Sequence, residues 1–186
     1  YNIKGTIIIS SEGINGSISF LKKDLNKIKI KIKKIFKISK FDNENSVLTK
    51  FVPFKKGRIK LKKEVVPIGK KLKHRVKNNQ LSPNQWNKFI LRKDSFIVDT
   101  RKEFEFKIGT FKNSINPQIN NFRDFSKYFR KYKKNSKIGM FCTGGIRCEK
   151  ASDYLKSKGY TNIFQLKGGI INYLSKIEKK KKFMER

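Results

Sequence analysis

The 186-residue chain is poor in the residues that most often carry protein chemistry. It has two cysteines, one histidine and one tryptophan, and Ala151 is its single alanine. Two cysteines six positions apart, Cys142 and Cys148, make no disulfide framework, so reduced thiols and a cytoplasmic location are expected. With His74 the only imidazole, the ligands for a structural zinc site are too few, and no metal is expected. Long apolar runs are missing as well. The longest, Gly5-Thr-Ile-Ile-Ile-Ser10, is strand-sized, far short of the ~18–20 residues a membrane helix needs. No signal peptide is visible, and a start at Tyr1 rather than Met leaves open whether the chain is a fragment.

Negative charge is also scarce. Lys and Arg number 47 against 14 Asp and Glu, a formal net charge of +33. Such an excess suits a polyanionic partner, nucleic acid above all. A coding sequence drifting toward A and T would enrich Lys, Ile and Asn in the same way and deplete alanine. Charge alone does not decide between them.

What is present falls into two halves. Ile3 to Ser10 is β-branched and reads as a strand, Gly13 and Gly16 bracket a turn, and Ser17 to Phe20 alternates like a second strand. "DLNKIKIKIKKIFKI" mimics a strand by its Lys–Ile alternation. Its length, and the fall of Leu25, Ile28, Ile32, Ile35 and Phe36 on one helical face, predict a helix. Phe51 to Phe54 and Arg58 to Val66 read as further strands. The pattern fits a ferredoxin-like α+β domain over residues 1–70, followed by a basic linker over 71–80. Ser82-Pro83-Asn84-Gln85 is a capping box that opens a helix carrying Trp86, Phe89 and Ile90. Strand-like "SFIVDTR", "KIGMFC" and "NIFQL" then alternate with helical "RCEKASDYLKSKG", closed by Gly159, and "GGIINYLSKI". That alternation predicts an α/β domain with a parallel sheet over 81–178 and a basic, solvated tail over 179–186.

In "MFCTGGIRCEK", Cys142 stands where a strand ends and a helix begins, the edge of a parallel sheet where ligands bind. Gly144 and Gly145 permit the tight curl that turns amide N–H groups inward, Arg147 adds a cation, and the helix adds its positive end. Each favours a thiolate, so Cys142 is the expected nucleophile. Cys-x4-Arg is one residue shorter than the Cys-x5-Arg of a cysteine phosphatase loop, which excludes that reading and suits a smaller anion such as the outer sulfur of a persulfide. Cys148 reads either as a resolving thiol or as a small packed hydrophobe, with packing preferred.

These motifs carry a resemblance. "CTGGIRCEKASDYL" resembles the active-site segment of the rhodanese-like tRNA uridine(34) hydroxylases, and "GTIIISSEGINGSIS", "RIKLKKEVVPIG", "LSPNQWNKFI", "IVDTR", "FEFKIGTF", "NFRDF" and "LKGGIINYL" follow in that family's order. The resemblance implies a ferredoxin-like domain before a rhodanese domain. It also implies oxygen-dependent hydroxylation of wobble uridine to 5-hydroxyuridine, with dioxygen as co-substrate and the anticodon loop of tRNA as partner. The family's essential cysteine maps onto Cys142, and Thr143, Gly144, Gly145, Ile146 and Arg147 would cradle its sulfur. Asp99 and Arg101 would be supporting polar residues, or equally a structural ion pair. Lys102 stands where the family has Asn, and Thr110 where it has His, so no histidine is expected near the site as a base. Segments the family carries before the first strand and after "GGIINYL" are not in the sequence.

His74 reads as solvated or phosphate-contacting rather than catalytic. "NFRDFSKYFRKYKK" reads as an amphipathic helix packing Phe122, Phe125 and Phe129, with Arg130 to Lys134 free to face RNA. A sulfurtransferase moving sulfane sulfur through a Cys142 persulfide uses the same loop, but has no need of the first domain or of the charge. A non-catalytic RNA-binding module would have no use for the cradle. No cofactor is identifiable from the residues, and the oligomeric state is left open.

Overall fold

The computed structural model describes residues 1–69, 79–119, 124–177 and 183–185. His74, Phe122 and Lys179 to Lys182 lie outside the described residues. The chain divides into two compact units, Tyr1–Pro67 and Ile68–Arg186.

In the first unit, β1 (Lys4–Ser10) and β2 (Gly13–Ser19) form an antiparallel hairpin in which Ser10 pairs with Gly13. The turn is therefore Ser11-Glu12. Gly16, expected to bracket it, sits inside the ladder opposite Ile7. Helix α1 (Leu25–Phe36) resolves the Lys–Ile ambiguity, ending at Lys37 in the left-handed region. Ile28 is its buried anchor, whereas Ile35 is 70% exposed and lies off the packed face. Strand β3 (Gly57–Leu61) runs parallel to β1, completing a sheet of order β2-β1-β3. It is shorter than the expected Arg58 to Val66. Phe51 to Phe54 is not a strand: Pro53 has no N–H to give a ladder. Glu12 accepts the Val65 amide at 3.0 Å, tying the hairpin turn to the segment after β3.

The second unit is a parallel sheet of order β4-β9-β8-β5-β7, made of β4 (Asn79–Leu81), β5 (Ser95–Asp99), β7 (Ser114–Ile115), β8 (Lys137–Phe141) and β9 (Ile163–Leu166). Asn79 and Gln80, expected in the linker, instead pair with Phe164 and Gln165, because strand β9 would otherwise present an open edge. Successive residues point to opposite faces, and the core divides accordingly. Val98, Ile138 and Met140 join Phe125, Phe129, Ala151 and Leu155. On the other face Ile97 and Phe141 join Trp86, Phe89, Ile90, Ile170 and Tyr173. Helix α2 (Pro83–Ile90) starts with the expected box, Ser82 accepting the Gln85 amide and Gln85 the Ser82 amide at 2.9 Å.

Helix α3 (Glu103–Ile108) and the short β6 (Thr110–Phe111) follow β5. The expected amphipathic helix is only α4 (Phe125–Tyr128), continued by a 3-10 turn over Phe129–Lys131, with Phe125 and Phe129 fully buried. Helices α5 (Ile146–Ser157) and α6 (Gly169–Lys176) complete the two outer layers. The tail is more than a solvated end: β10 (Met184–Glu185) pairs antiparallel with β6, and Phe183 and Met184 pack on the core beside Phe111.

Candidate active site

Central strand β8 ends at Phe141 and delivers Cys142 into a four-residue loop before α5. The sulfur is fully buried and accepts the Gly145 N–H at 3.0 Å. Gly145 makes this possible at φ +100, a conformation that side chains with a Cβ rarely adopt. The loop carbonyls are held the other way. The Cys142 carbonyl accepts the Ile170 N–H at 2.9 Å and the Thr143 carbonyl accepts the Ile171 N–H at 3.3 Å. Only a glycine fits at 169, where a Cβ would lie 2.5 Å from both carbonyl oxygens. With its carbonyls committed to α6, the loop keeps amides for the sulfur, at the positive end of α5.

The Cys142 thiol is accordingly lowered to about 6. The largest cause is the hydrogen bond from the Cys148 thiol. Burial works against it, and the Arg147 charge and the Cys148 and Gly145 amides add to it. At neutral pH Cys142 is a thiolate. Cys148 is pushed well above its ordinary value by burial, by its bond to Cys142 and by that residue's negative charge. It is fully buried, as the packing preference requires, and also in contact with the reactive sulfur.

Arg147 is held on three sides. Its Nη2 donates to Thr143 Oγ1 at 2.8 Å, its Nη1 donates to the Thr100 carbonyl at 3.4 Å, and Glu105 Oε1 lies 3.6 Å from Nη2. Thr143 in turn donates to Glu105 Oε1 at 2.6 Å. Burial pulls the Glu105 carboxyl upward, yet Thr143, the Lys102 amide, Arg147 and Arg101 outweigh it and keep it below the usual range. Gly144 and Ile146 are half-buried.

Asp99 and Arg101 reach the same sheet edge but face each other. Arg101 donates to both Asp99 carboxylate oxygens, Nε at 3.0 Å and Nη2 at 2.6 Å, and Nη2 also donates to the Gly109 carbonyl. Thr110, standing where the family pattern has histidine, donates to Asp99 Oδ2 at 3.0 Å. The pair fastens α3 and β6 to the end of β5, and its described partners include no atom of the Cys142 loop. Thr100 and Glu105 were not singled out from the sequence. Glu105 accepts the Lys102 amide at 3.1 Å at the start of α3, but Lys102 is not a capping residue type, so the sequence carried no usable signal for it. Thr100 carried none. Among the described residues no group of three or more His, Cys, Asp and Glu stands close enough to hold a metal ion.

A parallel sheet that presents a cradled thiolate at its central strand end, with helices on both faces, is the architecture of a rhodanese-like protein. The Rhodanese-like domain family matches residues 82–176, and the UPF0176 acylphosphatase like domain matches residues 1–65. Among curated relatives, the tRNA uridine(34) hydroxylase of Pelagibacter ubique is 55% identical over 96% of this chain and 60% of its own length. Those of a Wolbachia strain of Brugia malayi and of Legionella pneumophila are each 39% identical, over 97% and 98% of this chain and 68% and 74% of their own lengths. This chain belongs to the tRNA uridine(34) hydroxylase family, and it spans under two thirds of the length of the Pelagibacter relative. No helix among the described residues is long and apolar enough to cross a membrane.

Proposed function

We propose that the chain acts on tRNA in the cytoplasm, hydroxylating the wobble uridine to 5-hydroxyuridine with dioxygen as co-substrate and Cys142 as the essential thiol. The observation that carries this reading is the complete thiolate cradle, Cys142 through Arg147, in a chain 55% identical to a curated tRNA uridine(34) hydroxylase. In it Cys142 is the nucleophile, available as thiolate at neutral pH. The Gly145 amide and the Arg147 guanidinium hold negative charge on its sulfur. Thr143 and Glu105 keep Arg147 in place, and Asp99 with Arg101 supports the neighbouring strand end. The anticodon loop is the RNA element engaged, and the +33 charge draws it in.

The same cradle supports a second reading, a sulfurtransferase in which Cys142 carries a persulfide, since a small anionic sulfur suits the inward amides of a Cys-x4-Arg loop. Mass spectrometry of tRNA nucleosides from cells lacking the gene separates the two. Return of 5-hydroxyuridine with the wild-type sequence but not with Cys142→Ser is the expected result. If neither restores it while a persulfide accumulates on Cys142 of the purified protein, the sulfurtransferase reading replaces the hydroxylase.

A further inference from the structure

Cys148 is a buried thiol whose part in the proposed activity goes no further than its hydrogen bond to the Cys142 sulfur. It is placed against the reactive sulfur rather than simply near it: the Cys148 thiol donates to Cys142, and its own amide points at the same sulfur. On its far side Thr100 Oγ1 lies 3.5 Å from Cys148 Sγ. The Thr100 hydroxyl hydrogen is committed to the Phe141 carbonyl at 2.9 Å, so toward Cys148 the Thr100 oxygen is an acceptor. One thiol proton therefore has two acceptors, the Cys142 thiolate and the Thr100 hydroxyl.

The geometry points to a peroxide-reactive dithiol: Cys142 is oxidised by a hydroperoxide and Cys148 then closes on it, forming a reversible intramolecular disulfide. In the first step the Cys142 thiolate attacks the peroxide. An S–O bond forms, the O–O bond breaks and the departing hydroxide takes a proton to become water. The sulfur is oxidised by two electrons and the peroxide is reduced. In the second step Cys148 sulfur attacks Cys142 sulfur, an S–S bond forms, the S–OH bond breaks, and hydroxide leaves with the Cys148 proton as a second water.

The order of the steps is built into the pair. While Cys142 is a thiolate, burial above all, with the bond to Cys142 and that residue's charge, holds Cys148 protonated. Conversion of Cys142 to neutral S–OH removes that charge, while Arg147 remains to pull the Cys148 thiol downward against its burial. Thr100 Oγ1, 3.5 Å from Cys148 Sγ, keeps the Cys148 side chain in place. The disulfide occupies the sulfur the chemistry requires, so the oxidised chain is inactive and protected from irreversible oxidation. The inference does not depend on which substrate Cys142 serves.

The test is titration of the purified chain with hydrogen peroxide, read by intact mass and by mapping of cross-linked peptides. Expected at one equivalent is a monomer lighter by two hydrogens, with Cys142 linked to Cys148, no thiol left for maleimide, and full recovery with dithiothreitol. Cys148→Ser and Cys148→Ala should instead accumulate sulfinic acid on Cys142. If the wild type accumulates sulfinic acid as fast as those variants do, or links two chains together, the proposal is overturned. The wild-type measurement stands alone if neither variant folds.

Discussion

The strand ends of β5 and β8 lie side by side, Asp99 paired in register with Phe141, and both lead into polar loops that contain arginine. They use it in opposite ways. At β5 the Arg101 guanidinium is spent on Asp99, with the two side chains 8% and 0% exposed. At β8 the Arg147 side chain is 24% exposed and shares its charge among Thr143, Thr100, Glu105 and the Cys142 sulfur. A buried, bidentate, fully paired arginine is architecture. A half-open one with weaker partners has field left over for an anion.

Substitutions can break that comparison. Cys142→Ser should abolish 5-hydroxyuridine formation altogether while leaving the melting temperature within a few degrees of wild type, since the loss is of a nucleophile. Asp99→Ala should do the reverse of a chemical lesion. It strands the buried Arg101 charge and should cost about 3–5 kcal/mol in urea denaturation, with activity falling only as far as folded protein is lost. Arg147→Ala should leave stability nearly unchanged but raise the pH midpoint of Cys142 alkylation by iodoacetamide. The wild-type rate should climb through about pH 6 as the thiolate forms, and the variant should climb at a higher pH but still short of an ordinary thiol, because the Cys148 hydrogen bond remains. The smallest effect belongs to Glu105→Gln. It removes a negative charge beside Arg147, so the midpoint should fall, by less than about one unit given the ~0.2–1 kcal/mol of a partly exposed pair.

The alternation of strands and helices in the second unit was legible in the sequence because period and punctuation agreed there. Ser82, Pro83 and Gln85 announced α2, and Gly159, at φ +82, closed α5 where expected. The Cys142 loop was legible because it is local, with every element of the cradle within six residues of Cys142. What escaped was contributed by distant chain. The donation of the Ile170 and Ile171 amides to the loop carbonyls, and the Glu105–Thr143 bond across 38 residues, depend on tertiary approach that no local pattern encodes. The Phe51 to Phe54 strand was misread because apolar content outweighed Pro53, and the tail because its lysines hid the short strand Met184–Glu185 beyond them.

Ala151, the chain's single alanine, marks a limit on side-chain size. At 151 the side chain is fully buried between α5 and the sheet, one helical turn past Cys148 and on the same face. A larger residue there would wedge the helix away from the sheet, and the Gly145 amide would move with it, because Gly145 caps that helix. The chain's one alanine stands at a position whose size is dictated by how near a helix must stand to a sulfur atom.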